Sequence, residues 1–140
     1  MDWGKNLPKR ILVVEDHENT RALYAEELQE AGYEVLTAEN GYLAMKIIEK
    51  DRVDLVITDL RMPEVSGVTL IHCIHFHDEK IPVVVVSAYR QYEEPLAGNI
   101  RAFFTKPVNL ELLKQCVAEL FLDKTGPAKT FTPPRAPLRK

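Results

Sequence analysis

Short apolar runs rich in β-branched residues alternate along this chain with stretches in which apolar residues recur every three or four positions. The runs lie at residues 10–15 (RILVVE), 34–38 (EVLTA), 53–58 (VDLVIT), 81–88 (IPVVVVSA) and 101–105 (RAFFT). Each is short, nearly continuous and followed by polar or turn-forming residues, as expected of a strand covered on both faces. Helical spacing fills the intervals. Residues 19–31 place Ala22, Leu23, Ala25 and Leu28 on one side and stop at Gly32, a C′ glycine. Asn40 caps a helix that turns Leu43, Ala44, Ile47 and Ile48 inward. Residues 67–76 do the same with Val68, Leu70, Ile71 and Ile74, and residues 109–122 with Leu110, Leu113, Val117, Leu120 and Phe121. Asn109 is the expected N-cap of that last helix, and Glu111 adds a favourable charge to its first turn.

A repeated strand-then-helix order argues an α/β fold: a doubly wound, five-stranded parallel sheet with helices on both faces. One interval breaks the pattern. The segment YRQYEEPLAGN after the fourth strand holds Pro95 and Gly98, which leave room only for a shortened or irregular fourth helix.

Composition narrows the setting. A chain of 140 residues, 46% of them hydrophobic, has the size of one globular domain. The expected division is a lead-in at 1–9, a folded domain at 10–122 and a Pro-rich basic tail at 123–140, linker-like or disordered. The net charge of -3 combined with a basic tail makes the folded part acidic, which argues against direct nucleic-acid binding by the domain. Cys73 and Cys116 both fall in helical patterns and fit the reduced thiols of a cytoplasm better than a disulfide framework. The first residues, MDWGKNLPKR, lack the apolar stretch of a signal peptide, and no run reaches the length of a membrane span. A soluble, cytoplasmic protein without membrane contact is the expectation.

A parallel sheet brings every strand's carboxyl end to one rim, so Glu15, Asp16, Asp59, Ser87 and Lys106 converge there. Pro63 and Gly67 turn the chain just beyond Asp59. Three carboxylates within about 4 Å of one another repel by roughly 4 kcal/mol per pair at an effective dielectric near 20. They take up protons or they hold a cation. Oxygen donors suit a hard ion such as Mg²⁺, Lys106 adds a second positive charge, and the Ser87 hydroxyl can donate to a phosphoryl oxygen. Taken singly, each residue has a plainer reading: Glu15 and Asp16 as a solvated turn, Asp59 as a turn cap, Lys106 as a surface lysine, Ser87 as a helix cap.

Together these residues resemble the receiver domains of two-component response regulators. The likeness covers residues 9–122 and rests on ED after the first strand, D-x-x-M-P after the third, SA after the fourth and FFTKP at the fifth. It implies a flavodoxin-like sheet of strand order 2-1-3-4-5 and a phosphorylation-dependent signalling switch. By the same resemblance Asp59 is the phospho-acceptor, a carboxylate nucleophile toward phosphorus. Asp16, Asp59 and the backbone carbonyl of Arg61 are the Mg²⁺ ligands, and Glu15 holds a metal-bound water. Lys106, Ser87 and the backbone of Ala88 contact the phosphoryl group. Ser87 and Phe103 are the switch pair, the Lys106-Pro107 bond is of the kind often cis in relatives, and Arg61 and Tyr89 stand where dephosphorylation is tuned. The implied partners are a sensor histidine kinase or phosphotransfer protein and a downstream target. Turnover of an independent substrate is not expected beyond the domain's own phosphotransfer and aspartyl-phosphate hydrolysis. In relatives the fourth helix, fifth strand and fifth helix form the dimer face, so the shortened segment here implies weak or absent dimerisation.

Other readings are open at this level. A receiver-shaped interaction module that does not use phosphorylation has the same pattern. A flavodoxin-like cofactor binder would need Gly, Ser or Thr where Glu15 and Asp16 stand, and a D-x-D phosphatase is opposed by Arg61 at the second Asp position. Phe103 alone also reads as a core aromatic. The cluster His72, Cys73, His75 and His77 lacks a closed ligand set and reads as a solvated helix face.

Overall fold

A computed structural model describes residues 7–62, 65–88 and 99–122 of the chain. The expectations for residues 1–6, Pro63, the shortened helix at 89–98 with Tyr89, and the tail at 123–140 lie outside the described residues. Strands β1 (Arg10–Val14), β2 (Glu34–Ala38), β3 (Leu55–Asp59), β4 (Val83–Ser87) and β5 (Ile100–Thr105) form one sheet in the order β2-β1-β3-β4-β5. All four neighbouring pairs are parallel. Among the described residues four helices cover it: α1 (Glu18–Glu30), α2 (Gly41–Lys50), α3 (Gly67–His77) and α4 (Leu110–Leu122).

The strands are apolar throughout because both faces are covered, and successive side chains serve opposite layers. Leu12, Val14, Val56, Val83 and Val85 meet Ala44 and Ile48 of α2 and Leu70, Ile71 and Ile74 of α3. Ile11, Val13, Leu55, Ile57, Val84 and Val86 meet Tyr24 and Leu28 of α1 and Leu113, Cys116 and Val117 of α4. Each fully buried aliphatic side chain contributes roughly 1.5–3 kcal/mol relative to exposure. With helices packed on both faces, the strand tips are held in a defined register, the β4–β5 pairing shifting once between Val83 and Val84.

The helix ends follow local chemistry. The Asn40 side chain accepts from the Leu43 N–H at 2.8 Å, and Asn109 accepts from the Leu112 N–H at 3.1 Å. Ser66, which the hydrophobic pattern did not single out, caps α3 by accepting from the Thr69 N–H at 3.2 Å. Gly32 follows α1 at φ 102, a left-handed conformation that favours glycine.

Two inward faces differ from expectation. In α1 the buried residues are Tyr24 and Leu28, while Leu23 is 44% exposed and Ala22 is exposed. The stripe facing the sheet runs Arg21, Tyr24, Leu28 at helical spacing. Its first member is an arginine, because that end of the helix lies at the polar rim rather than over the core. In α2, Leu43 is exposed at 36%, and the inward positions are Gly41, Ala44 and Ile48.

Candidate functional site at the carboxyl rim

Register determines which side chains meet. Val14 of β1 is opposite Thr58 of β3, so Glu15 and Asp59, the next residues, leave the sheet side by side. Ser87 of β4 is opposite Thr105 of β5, and the Lys106 N–H donates to the Ser87 carbonyl at 2.8 Å. Lys106 therefore starts at the end of the neighbouring pair and reaches back across the rim. Its ammonium donates to Glu15 Oε1 and to Asp59 Oδ2, each at 2.6 Å. Residues 91 and 47 positions away along the chain are joined by one cation.

Both carboxylates are withdrawn from water, Glu15 at 1% and Asp59 at 8% exposure. Burial pushes the Glu15 carboxyl above its usual range, against the lowering pull of the Lys106 hydrogen bond. Burial alone would lower the Lys106 ammonium, but its hydrogen bonds to Asp59 and Glu15 outweigh that and raise it. The second oxygen of Asp59 accepts from the Arg61 N–H at 3.1 Å, and the Thr58 hydroxyl donates to the Asp59 carbonyl at 2.9 Å. The other face of that carbonyl is closed by α3. A Cβ on Gly67 would lie 1.9 Å from the Asp59 carbonyl oxygen and 2.7 Å from Leu60 Cα, so only glycine allows this approach.

The β1–α1 loop carries the remaining acid. Glu15 Oε2 accepts from the Asp16 N–H at 3.0 Å, and the Arg21 guanidinium donates to the carbonyls of Glu15 at 2.8 Å and Asp16 at 3.4 Å. Asp16 Oδ1 is buried without a hydrogen-bond partner. A carboxylate oxygen in that condition is costly unless something positive meets it. Together with the neighbouring Glu15, this hard oxygen, which takes no hydrogen bond and has His17 Nδ1 3.5 Å away, fits a divalent cation with a preference for oxygen ligands.

The sequence-expected residues thus fall into two groups. Glu15, Asp59 and Lys106 touch directly, Asp16 adjoins Glu15, Arg61 is tied to Asp59 through its N–H, and Ser87 is tied to Lys106 through its carbonyl. Ser87 itself is fully buried and Ala88 just beyond it is exposed. Phe103 is partly buried and packs against the α2/α3-side core. The histidines expected on a solvated face, His72, His75 and His77, are exposed on α3. Periodicity missed Arg21 and Tyr24. Tyr24 lies under the site with its hydroxyl raised by burial, and Lys106, Glu15 and Asp59 are close enough to act on it. The signal was available as an Arg-Tyr-Leu stripe at helical spacing, but a polar first member hides it from a hydrophobic count.

Comparison with known proteins agrees with this geometry. The family model for the response regulator receiver domain matches residues 11–118. The transcriptional regulatory protein GlrR of Escherichia coli K12 is 32% identical over 124 residues, 86% of this chain but only 28% of that relative's length. The polar-differentiation response regulator DivK of Brucella anthropi is 31% identical over 109 residues, 74% of this chain and 89% of DivK. Among solved structures, the response regulator TrrA of Thermotoga maritima in complex with Mg²⁺ and BeF is 40% identical with a TM-score of 0.75, covering 80% of this chain and 98% of that one. No helix among the described residues is long and apolar enough to cross a membrane. With the sheet order, the rim and these relatives in agreement, the chain belongs to the response regulator receiver domain family, the phosphorylation-dependent switches of two-component signalling.

Proposed function

We propose that Asp59 is the phospho-acceptor of this domain and that a sensor histidine kinase or phosphotransfer protein supplies the phosphoryl group. The observation that carries this reading is the 2.6 Å contact of Lys106 with a carboxylate that is nine-tenths buried yet stands at the strand tips. An Asp59 carboxylate oxygen attacks phosphorus, forming an O–P bond. The N–P bond of the donor phosphohistidine breaks, and its electron pair stays on the departing imidazole, which takes up a proton. Asp16 and Asp59, with the Arg61 carbonyl and Glu15 through a water, are the residues suited to hold Mg²⁺. When bound, the ion offsets negative charge on the phosphoryl oxygens. Lys106, Ser87 and the Ala88 N–H are the donors for those oxygens.

In this scheme the contact of Lys106 with Glu15 and Asp59 belongs to the unphosphorylated state. A phosphoryl group on Asp59 offers the ammonium a new partner, and Ser87 and Phe103 carry the change outward. Moving a two-state equilibrium from about 1:99 to 99:1 takes roughly 5.5 kcal/mol of differential stabilisation. Residues 10–122 act as the receiver unit, and the segment from residue 123 leads to or contacts a partner. The test is amide NMR with BeF₃⁻ and Mg²⁺. Shifts near Ser87 and Phe103 that vanish in Asp59→Asn support the scheme, and a silent wild-type spectrum overturns it.

A further inference from the structure

The corner between β2 and α2 touches both loops that carry the rim's acids. The Glu15 N–H donates to the Ala38 carbonyl, at the end of β2, at 3.1 Å. Three residues on, Gly41 opens α2 and is buried against Val65, on the return from β3 to α3. An ideal Cβ on Gly41 would lie 2.8 Å from both Val65 Cγ1 and the Val65 carbonyl oxygen, and 3.0 Å from Val65 Cβ. Gly41 takes no positive φ, so glycine is needed there for space and not for backbone conformation. Glycine is also among the poorest helix formers, so local helix stability alone would favour alanine.

That contact reaches Asp59 through short links. Val65 stands two residues before Gly67, whose N–H donates to the Leu60 carbonyl at 3.0 Å and whose Cα lies too close to the Asp59 carbonyl for any side chain. The Asp59 carboxylate in turn accepts from the Arg61 N–H at 3.1 Å. Behind Gly41, α2 is fixed by Ala44 and Ile48, which share a core with Leu70, Ile71 and Ile74 of α3. We propose that Gly41 is a positioning residue for phosphotransfer: by lacking a side chain it lets α2 brace the chain that follows Asp59, and so sets where Asp59 and the Arg61 backbone stand at the rim. The inference rests on the reading of Asp59 as the phospho-acceptor, and it adds a residue from outside the converging set.

A Cβ at position 41 forces Val65 to yield by about half an ångström or more before the two reach the 3.4 Å of an ordinary contact. A misplacement of about 1 Å can cost roughly 100-fold in rate, so Gly41→Ala is expected to slow acyl-phosphate formation about 10-fold. The test follows the full chain with acetyl phosphate and Mg²⁺ by phosphate-affinity electrophoresis, with urea unfolding and the Leu60 and Arg61 amide signals measured alongside. Val65→Ala removes one of the two closest overlaps, so adding it to Gly41→Ala should recover at least about 3-fold of the lost rate, a coupling that two independent defects would not show. A wild-type rate in folded Gly41→Ala, unmoved Leu60 and Arg61 amides, or losses that multiply in the double variant would overturn the proposal. Should Gly41→Ala fail to fold, Val65→Ala alone withdraws the brace without an overlap; it is expected to slow the reaction about 2-fold or more, and a wild-type rate there overturns the proposal equally. A wild type that acetyl phosphate does not label removes the reading of Asp59 as well, whereas a labelled wild type with an unaffected Gly41→Ala removes the brace alone.

Discussion

At the amino ends of the strands, Arg10 pairs with Glu34 at 3.0 Å, Arg52 pairs with Asp54, and the Arg10 N–H donates to the same Asp54 at 2.8 Å. At the carboxyl ends, Glu15 and Asp59 share Lys106, and Asp16 keeps a buried oxygen with no hydrogen bond. Both rims pair carboxylates with cationic side chains. The first matches two arginines to two acids with side chains 21–43% exposed, although Arg10 Nε is itself buried without a hydrogen bond. The second buries Glu15 and Asp59, with Lys106 shared between them, and leaves the partly exposed Asp16 with an oxygen that takes no hydrogen bond, at a cost in folding free energy. The difference is one of solvation: partly solvated ion pairs at the amino rim, and two buried carboxylates sharing one ammonium at the carboxyl rim.

Substitutions at matched positions on the two rims break or sharpen that comparison. The largest effect is expected at Asp59, the proposed acceptor. Asp59→Asn should abolish formation of the acyl phosphate from a small-molecule phosphodonor, read by phosphate-affinity electrophoresis, while Arg52→Gln at the other rim leaves it intact. Residual phosphorylation of Asp59→Asn at the wild-type level would show that another carboxylate is the acceptor.

Glycine supplies the next contrast. Gly67→Ala drives a methyl into the Asp59 carbonyl oxygen and Leu60 Cα, both backbone atoms that cannot step aside. A loss of about 2–4 kcal/mol in urea unfolding is expected, with the acceptor loop displaced. Gly32→Ala at the amino rim meets nothing within 4 Å and is strained only by its φ of 102, so about 1 kcal/mol suffices. Equal losses would mean that α3 is free to move away from β3.

These positions also mark what the sequence made visible. The strands were legible because short β-branched runs such as VVVVS mark strands covered on both faces, and Asn40, Gly32 and Asn109 announce their helix ends through local chemistry. The convergence of Glu15, Asp59 and Lys106 followed from parallel topology together with the family likeness. The sharing of one ammonium by two acids did not, since it depends on β1, β3 and β5 register. Leu23 misled because a count of apolar residues cannot place a helix whose inward stripe begins with Arg21. Gly67 read as a turn, although its contact with the Asp59 carbonyl is what excludes a side chain there.

A smaller loss is expected from Lys106→Met. Glu15 and Asp59 would be left side by side without their shared cation, at about 1–3 kcal/mol, less than for a fully buried pair because Lys106 retains 22% exposure. Mg²⁺ should restore part of that stability by binding the folded state, and a Lys106→Met domain as stable as wild type in its absence would contradict the shared-cation picture. The pH dependence has a definite sign. Burial raises Glu15 above 4.5, so its contribution to stability is complete below that value and is lost as pH climbs through the raised folded-state pKa. Glu15→Gln should flatten this part of the metal-free stability curve.

The smallest effect belongs to the balanced rim. Arg52 and Asp54 are partly solvated, with side chains 43% and 21% exposed, so water already screens their attraction. Arg52→Gln should cost roughly 0.2–1 kcal/mol, and the cost should shrink further at high salt. Lys106→Met should keep most of its penalty under the same salt, because Glu15 and Asp59 are buried and bulk salt screens them less. Measuring both variants at low and high ionic strength therefore tests the comparison itself. If the two penalties fall in parallel, the carboxyl rim is as solvated as the amino rim, and the Asp16 oxygen that takes no hydrogen bond loses its significance as a place held for an ion.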